Sequence, residues 1–176
     1  MKLRHDALCA AAEFILAVER CGVTATVGQI DAQPGASNVI AGRVVLSLDV
    51  RDLADAKRVT TVKKLRQRAA AIGRARGVAM RWIAVQESAA AACDPALSGV
   101  LRDAVARHQR RVLTLPSGAG HDAVAISAVC PVAMLFVRCK GGLSHHPAES
   151  VKTADVAVAI TVLRDFVRSA TALQDA

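Results

Sequence analysis

The sequence of 176 residues predicts a mixed α/β chain. A small α+β unit with an antiparallel sheet and two helices comes first, and an incomplete α/β portion follows it. Three observations carry this reading. Two runs of alternating apolar and polar residues, 23–30 and 43–50, flank a turn with no room for a helical crossover, so they pair antiparallel. Beyond Pro95 helical stretches alternate with short apolar runs, the pattern of a parallel sheet with helices on its faces. That second part holds two such runs and three helices, too few for a complete sheet of that kind.

In chain order, residues 8–18 are Ala-rich and helical, with Leu8, Ile15 and Leu16 as candidate core contacts. Cys21-Gly22 ends this helix, because glycine suits the position just past a helix C-terminus. The run 23–30 (VTATVGQI) is a half-buried strand, and 43–50 is another. Between them Pro34-Gly35 fits the centre of a type II bend. Residues 52–74 form the second helix and 78–85 the third strand. Helix, strand, strand, helix, strand packs helices on one face of an antiparallel sheet. An Ala-rich connector at 88–94 marks a boundary between two domains, 1–88 and 89–176.

The second portion reads as a helix over 95–109, a strand at 112–115, a glycine loop, a helix over 122–129, a strand at 133–137 and a helix over 154–170. Asp94 caps the first of these helices and Pro95 occupies its first turn. The stretch 115–149 concentrates the polar chemistry. His121, His145 and His146, three of the five histidines, fall there in glycine-containing loops. The apolar run 131–137 (PVAMLFV) between these loops has the make-up of a buried strand, which would hold them rigidly.

Composition narrows the function. Apolar residues make up 53% of the chain, ample for a core. Aromatic residues are only 2%, with no Tyr, so nucleic-acid binding by base stacking is poorly supported. The net charge is +8, but Lys and Arg are scattered. Their densest cluster, 57–76, lies on a helical pattern with apolar Val59, Val62, Leu65 and Ile72. It reads as a solvated helix face, or as a field that draws in an anionic partner. Five cysteines, odd in number and without a CxxC pair, fit reduced thiols in a cytoplasmic protein. No apolar stretch approaches the roughly 20 residues of a membrane span. The first residues (MKLRHD) lead into no signal-peptide apolar region, so a soluble intracellular protein is expected.

The loops allow more than one reading from residue chemistry. His121 follows Gly118-Ala119-Gly120 at a helix start. Either the backbone N–H groups there attract an anionic or carbonyl oxygen, or Asp122 caps the helix and His121 is merely hydrogen-bonded nearby. The glycine pattern lacks the Lys-Ser/Thr of a phosphate-binding loop, which excludes nucleotide binding of that kind. His145 and His146 suit a divalent metal by type, but a site needs three or more convergent ligands. Glu149 either orients a ring nitrogen or begins the next helix. Asn38 and Arg51 flank the second strand, as groups for a carbonyl and a carboxylate or as a turn residue and a surface charge.

Taken together, residues 1–8 (MKLRHDAL), 33–40 (QPGASNVI), 48–51 (LDVR), 116–123 (PSGAGHDA) and 141–149 (GGLSHHPAE) resemble one family. It is the hydantoinase/carbamoylase amidases, which include allantoate amidohydrolase, N-carbamoyl-L-amino acid hydrolase and β-ureidopropionase. They belong to the aminoacylase/carboxypeptidase superfamily of dinuclear metallohydrolases. The resemblance covers almost the whole chain and points to the family's C-terminal half; residues 136–142 (FVRCKGG) are most similar to the allantoate branch. It implies that the first unit is a lid that mediates homodimerisation and that the second is the C-terminal part of a catalytic domain. It further implies two divalent ions (Mn, Zn, Ni or Co) that activate a water against a ureido or amide carbonyl. By resemblance His145 is the last metal ligand, with His146 beside it. Asn38 and Arg51 hold the carbonyl and carboxylate of a small anionic ureido substrate, and His121 with Gly120 lines the pocket. Allantoate is the favoured substrate, which would place the protein in purine catabolism, and an N-carbamoyl-L-amino acid is the alternative.

The chain departs from the family in one large respect. The other four metal ligands, the general-base glutamate and the catalytic histidine precede the lid in the family, and these 176 residues hold no counterpart of them. Ala41 also stands where the lid motif usually has Pro. No catalytic residue is therefore expected within this chain. It should be inactive alone and need the missing N-terminal half, the alternative being a non-catalytic dimerising lid module or the remnant of a truncated gene.

Overall fold

The computed structural model describes residues 4–171, and the chain divides between Ala90 and Ala91 into two compact units. The first unit opens with α1 (Ala7–Glu19). Asp6 starts it: one carboxylate oxygen accepts the N–H groups of Leu8 and Cys9, both at 3.0 Å, and the other accepts from Arg4. The Arg4 guanidinium first, and then the Cys9 N–H, hold the Asp6 carboxyl well below the usual carboxylate range.

The buried face of α1 is Ala7, Ala10, Ala11, Phe14 and Val18. Leu8 and Leu16, expected in the core, are exposed, and Ile15 is half-buried. Ala10, Phe14 and Val18 recur every four residues and form one stripe, and both leucines lie off it. Facing this stripe, α2 (Asp55–Arg76) buries Thr61, Leu65, Ala69 and Ile72. Most of its cations stand outside, and several pair with neighbouring carboxylates, including Lys57 with Asp52 at 2.9 Å and Arg76 with Glu13 at 2.8 Å. The solvated-face reading of that cluster fits these pairs.

The two helices cover an antiparallel ribbon. β1 (Thr24–Thr26) pairs with β4 (Asp49–Arg51), and β2 (Ile30–Gln33) with β3 (Arg43–Leu46). The expected strands 23–30 and 43–50 are thus each interrupted, and the register explains why. Thr26 opposes Asp49 and Ile30 opposes Leu46, so residues 27–29 face only residues 47 and 48. One extra residue makes a bulge, bridged by Ser47 N–H to the Gln29 carbonyl at 3.1 Å and Gln29 N–H to Ser47 Oγ at 3.0 Å. The ribbon turns over at Gly35, whose φ of +77° follows a cis Gln33–Pro34 peptide.

Residues 78–85 do not join this sheet as a strand. They are held by side chains instead: Val78 and Trp82 pack on the core, with Trp82 edge-on to Phe14 at 6.2 Å, while Val85 is 94% exposed.

In the second unit α3 (Pro95–His108) packs against α5 (Thr153–Thr171), and α4 (Asp122–Ile126) is a short turn of helix between them in sequence. Asp94 caps α3 by accepting the Leu97 N–H at 2.8 Å, and its own N–H reaches the Val132 carbonyl at 2.8 Å. Leu101, Ala104 and Val162 form the buried centre, ringed by Val105, Ala133, Leu135, Val158 and Phe166. The run 131–137 packs on this centre through Ala133 and Leu135; Val132 and Met134 are half-buried as well, and Phe136 stays 48% exposed. Neither this run nor 112–115 is a strand, because no ladder partner lies among the described residues. No helix among them is long and apolar enough to cross a membrane.

Two expectations follow. Ile72 is fully buried between α1, α2 and the ribbon, so Ile72→Ala should cost about 2–5 kcal/mol in urea denaturation. Because the folded-state pKa of Asp6 is depressed, its contribution is complete above the unfolded carboxylate pKa of about 3.9 and is lost as pH falls through the lower folded value. Asp6→Asn, which keeps a capping oxygen but does not titrate, should flatten the acid side of the stability profile.

Candidate functional site

Asn38 and Arg51 lie in the first unit. Arg51 sits at the end of β4, paired with Thr24, and Asn38 in the exposed loop that Gln33 and Arg43 close at the other end of the ribbon. The ribbon does not bring the two side by side. Arg51 donates from Nε and Nη2 to the two carboxylate oxygens of Asp49, at 2.7 and 3.0 Å. Residues two apart on a strand share a face, so this bidentate pair was within reach of the sequence, although only Arg51 was singled out. Each partner favours the other's charged form: the Asp49 carboxyl is held below its ordinary value by Arg51, and Arg51 is pushed up by Asp49. Both side chains are about half exposed, so the pair orients the guanidinium more than it stabilises the fold.

The remaining candidates belong to the second unit. The loop before α4 folds on Ser117, whose Oγ accepts the Ala119 N–H at 3.2 Å and lies 2.6 Å from His121 Nε2. His121, not Asp122, occupies the cap position of α4, and it makes no side-chain cap bond; Asp122 is the first helical residue. Asp122 as the cap is therefore corrected. The reason is geometric, since His121 still has extended backbone at φ −132° and ψ 158°. Gly120 is exposed, and a Cβ there would meet nothing within 4 Å.

Lys140–Gly142 form one turn of 3-10 helix, with Gly141 and Gly142 both left-handed, and lead into the histidine pair. His145 has φ +57°, the one positive φ of a non-glycine residue among those described. Such a conformation costs an L-residue about 1–2 kcal/mol. Glu149 holds it through the main chain: Oε2 accepts the His145 N–H at 3.0 Å. Glu149 thus orients the backbone of His145 and not a ring nitrogen. Next to it, His146 Nδ1 accepts the Ala148 N–H at 3.1 Å. A neutral His146 must then carry its proton on Nε2, which leaves neither nitrogen a lone pair for a metal. Among the described residues no group of three or more His, Cys, Asp or Glu could hold a metal ion, so this chain by itself does not fit a metal pair.

Helices laid over small antiparallel sheets in the first unit, and a helical second unit with exposed polar loops at 115–121 and 140–149, define a mixed α/β fold. The chain belongs to Peptidase family M20/M25/M40, whose profile matches residues 7–169. It is 40% identical over 172 residues to the N-carbamoyl-L-amino acid amidohydrolase of Geobacillus stearothermophilus, covering 93% of this chain and 41% of the relative. It is 34% identical over 201 residues to allantoate deiminase 2 of Glycine max, covering 96% and 42%. The solved structure of AtUAH in complex with glyoxylate superposes with a TM-score of 0.87 at 31% identity, covering 94% of this chain and 41% of that one. The chain thus spans about two fifths of the length of the relatives it matches.

If the left-handed backbone at position 145 serves the site and not the fold, His145→Gly should leave the urea midpoint of the chain unchanged or raise it. A lowered midpoint would assign the imidazole to packing.

Proposed function

We propose that this chain forms the substrate-clamping lid and the C-terminal portion of the catalytic domain of an amidohydrolase. The enzyme hydrolyses a ureido C–N bond of a small carboxylate, with allantoate favoured and an N-carbamoyl-L-amino acid as the alternative. The observation that carries the reading is His145, an exposed imidazole on strained backbone pinned by Glu149, in a chain matched to Peptidase family M20/M25/M40 over residues 7–169. The names of the relatives support the C–N hydrolase class, and the glyoxylate in AtUAH supports a small carboxylate.

In this reading Arg51 binds the substrate carboxylate, with Asp49 fixing the plane of its guanidinium. Asn38 donates to a substrate carbonyl, and Gly120 with His121 lines the pocket. His145 contributes one ligand to a pair of divalent ions whose other ligands lie outside these 176 residues. When bound, such ions supply an activated water and neutralise developing negative charge. With one ligand the chain alone should bind no metal pair tightly and turn over no ureido acid.

The test is co-expression with the N-terminal three fifths of an allantoate deiminase, followed by assay of ammonia release from allantoate and from an N-carbamoyl-L-amino acid in Mn²⁺. Release is expected only in the assembled sample. Arg51→Ala should lower kcat/KM by about 100-fold, the order expected for losing a charge-assisted bidentate contact. No release with either substrate, or release undiminished by Arg51→Ala, would overturn these roles.

A second reading is a non-catalytic module that pairs with another copy of itself. Exposed Val39, Ile40 and Val45 beside an open two-stranded ribbon favour it. Light scattering with and without chelator separates the two: this reading requires a stable dimer indifferent to metal, together with silence in the co-expression assay.

A further inference from the structure

We infer that residues 83–90 are a releasable strap, clasped to the first turn of α2 by Asp55 and Arg58, and that this clasp sets the free length of the connector between the two units. Trp82 is the last residue of the first unit to pack on its core, and every residue from Ile83 to Ala90 is exposed. No apolar burial holds this segment. Among the described residues, two contacts to α2 hold it instead. Arg58 Nη1 donates to Glu87 Oε1 at 3.2 Å, and Asp55 Oδ2 accepts the Ala90 N–H at 3.1 Å. The two are joined, because Arg58 Nε also donates to Asp55 Oδ1 at 3.2 Å. Arg58 therefore meets the strap at Glu87 and orients the carboxylate that receives Ala90. Its side chain is only 14% exposed, whereas that of Glu87 is 67% exposed.

With the clasp closed, residues 91–93 are the free connector, since Asp94 is bonded into the second unit through Leu97 and Val132. Those three residues reach about 10 Å when extended. With the clasp open, the free segment is 83–93, and its eleven residues reach about 38 Å. Arg51 precedes this connector in the chain and His145 follows it, so its length limits how far those two side chains can separate. Both clasp contacts involve charge at a water-exposed surface, where an ion pair has low net worth and salt screens it. The strap therefore opens without unfolding of the unit and loosens as salt rises. A strap held by buried apolar side chains would do neither. This inference goes beyond the amidohydrolase reading and does not depend on it.

The experiment is limited elastase digestion of the whole chain, with cut sites mapped by mass spectrometry. Elastase cuts after small aliphatic residues, and the strap and connector supply Ala84, Val85 and the alanines at 89–92. A protease draws an extended stretch of chain into its cleft, so the cutting rate here follows the open population. The wild type should be cut within 83–93 more slowly than a free peptide of that sequence. Arg58→Ala and Asp55→Ala should each be cut there about threefold faster than the wild type, the size of one exposed ion pair. Lys57→Ala, which removes a neighbouring cation paired with Asp52 and not with the strap, should match the wild type. Raising NaCl to about 1 M, where the screening length falls to about 3 Å, should speed wild-type cutting relative to the peptide. Should Arg58→Ala fail to fold, Glu87→Ala carries the same expectation from an exposed position outside any helix. A wild type cut as fast as the free peptide, or clasp variants cut at the wild-type rate, would overturn the strap. Lys57→Ala cut as fast as Arg58→Ala would overturn the assignment of the clasp to Asp55 and Arg58.

Discussion

Extended backbone becomes sheet only where a second extended segment meets its N–H and C=O groups, and this requirement shapes the whole chain. Residues 24–33 and 43–51 meet it for each other. They form a ribbon even though a bulge at 27–29 interrupts the ladder, because the Gln29 and Ser47 groups at the bulge bond across it. Residues 78–85, 112–115 and 131–137 are as rich in β-branched and apolar residues as the ribbon, yet none is a strand. What distinguishes them is the lack of a ladder partner among the described residues, not their composition.

Side-chain burial then does the work that pairing does not. In the first unit Val78 and Trp82 are fastened to the core that Phe14, Leu65 and Ile72 create between two helices and the ribbon. In the second, Ala133 and Leu135 lie against α3 and α5, Val132 and Met134 are half-buried, and Phe136 and Val137 remain exposed. α5 is apolar on two sides. Val158, Val162 and Phe166 meet the core, while Val156, Ile160, Leu163 and Val167 face solvent at helical spacing. A helix of that make-up suits a layer covered on both sides, in keeping with a chain that spans about two fifths of its relatives.

The polar groups of interest are organised by short-range bonds. Asp49 holds Arg51, Ser117 holds His121, Glu149 holds the His145 main chain, and Ala148 engages His146, each within four residues. All of these groups are solvent-facing, so they add little to stability. Their effect is on direction and protonation: which edge of a guanidinium is taken, which ring nitrogen has a lone pair, and which histidine of an adjacent pair remains available.

Some helix ends were legible in the sequence from local marks: Asp94 as a cap, Pro95 in a first turn and Gly22 shortly past the end of α1. The family was legible too, since its motifs are contiguous. Less legible was which residues of α1 face inward, because Leu8 and Leu16 are as apolar as Phe14 and only the position of α2 and the ribbon decides between them. The role of Glu149 was hidden for a related reason: whether a carboxylate meets a ring or a backbone N–H depends on φ at His145. Sequence by itself determined local propensity, spacing and family membership, all of which act within a few residues or along one motif. Tertiary structure decided pairing, facing and hydrogen-bond partners, because each depends on where a second segment lies in space.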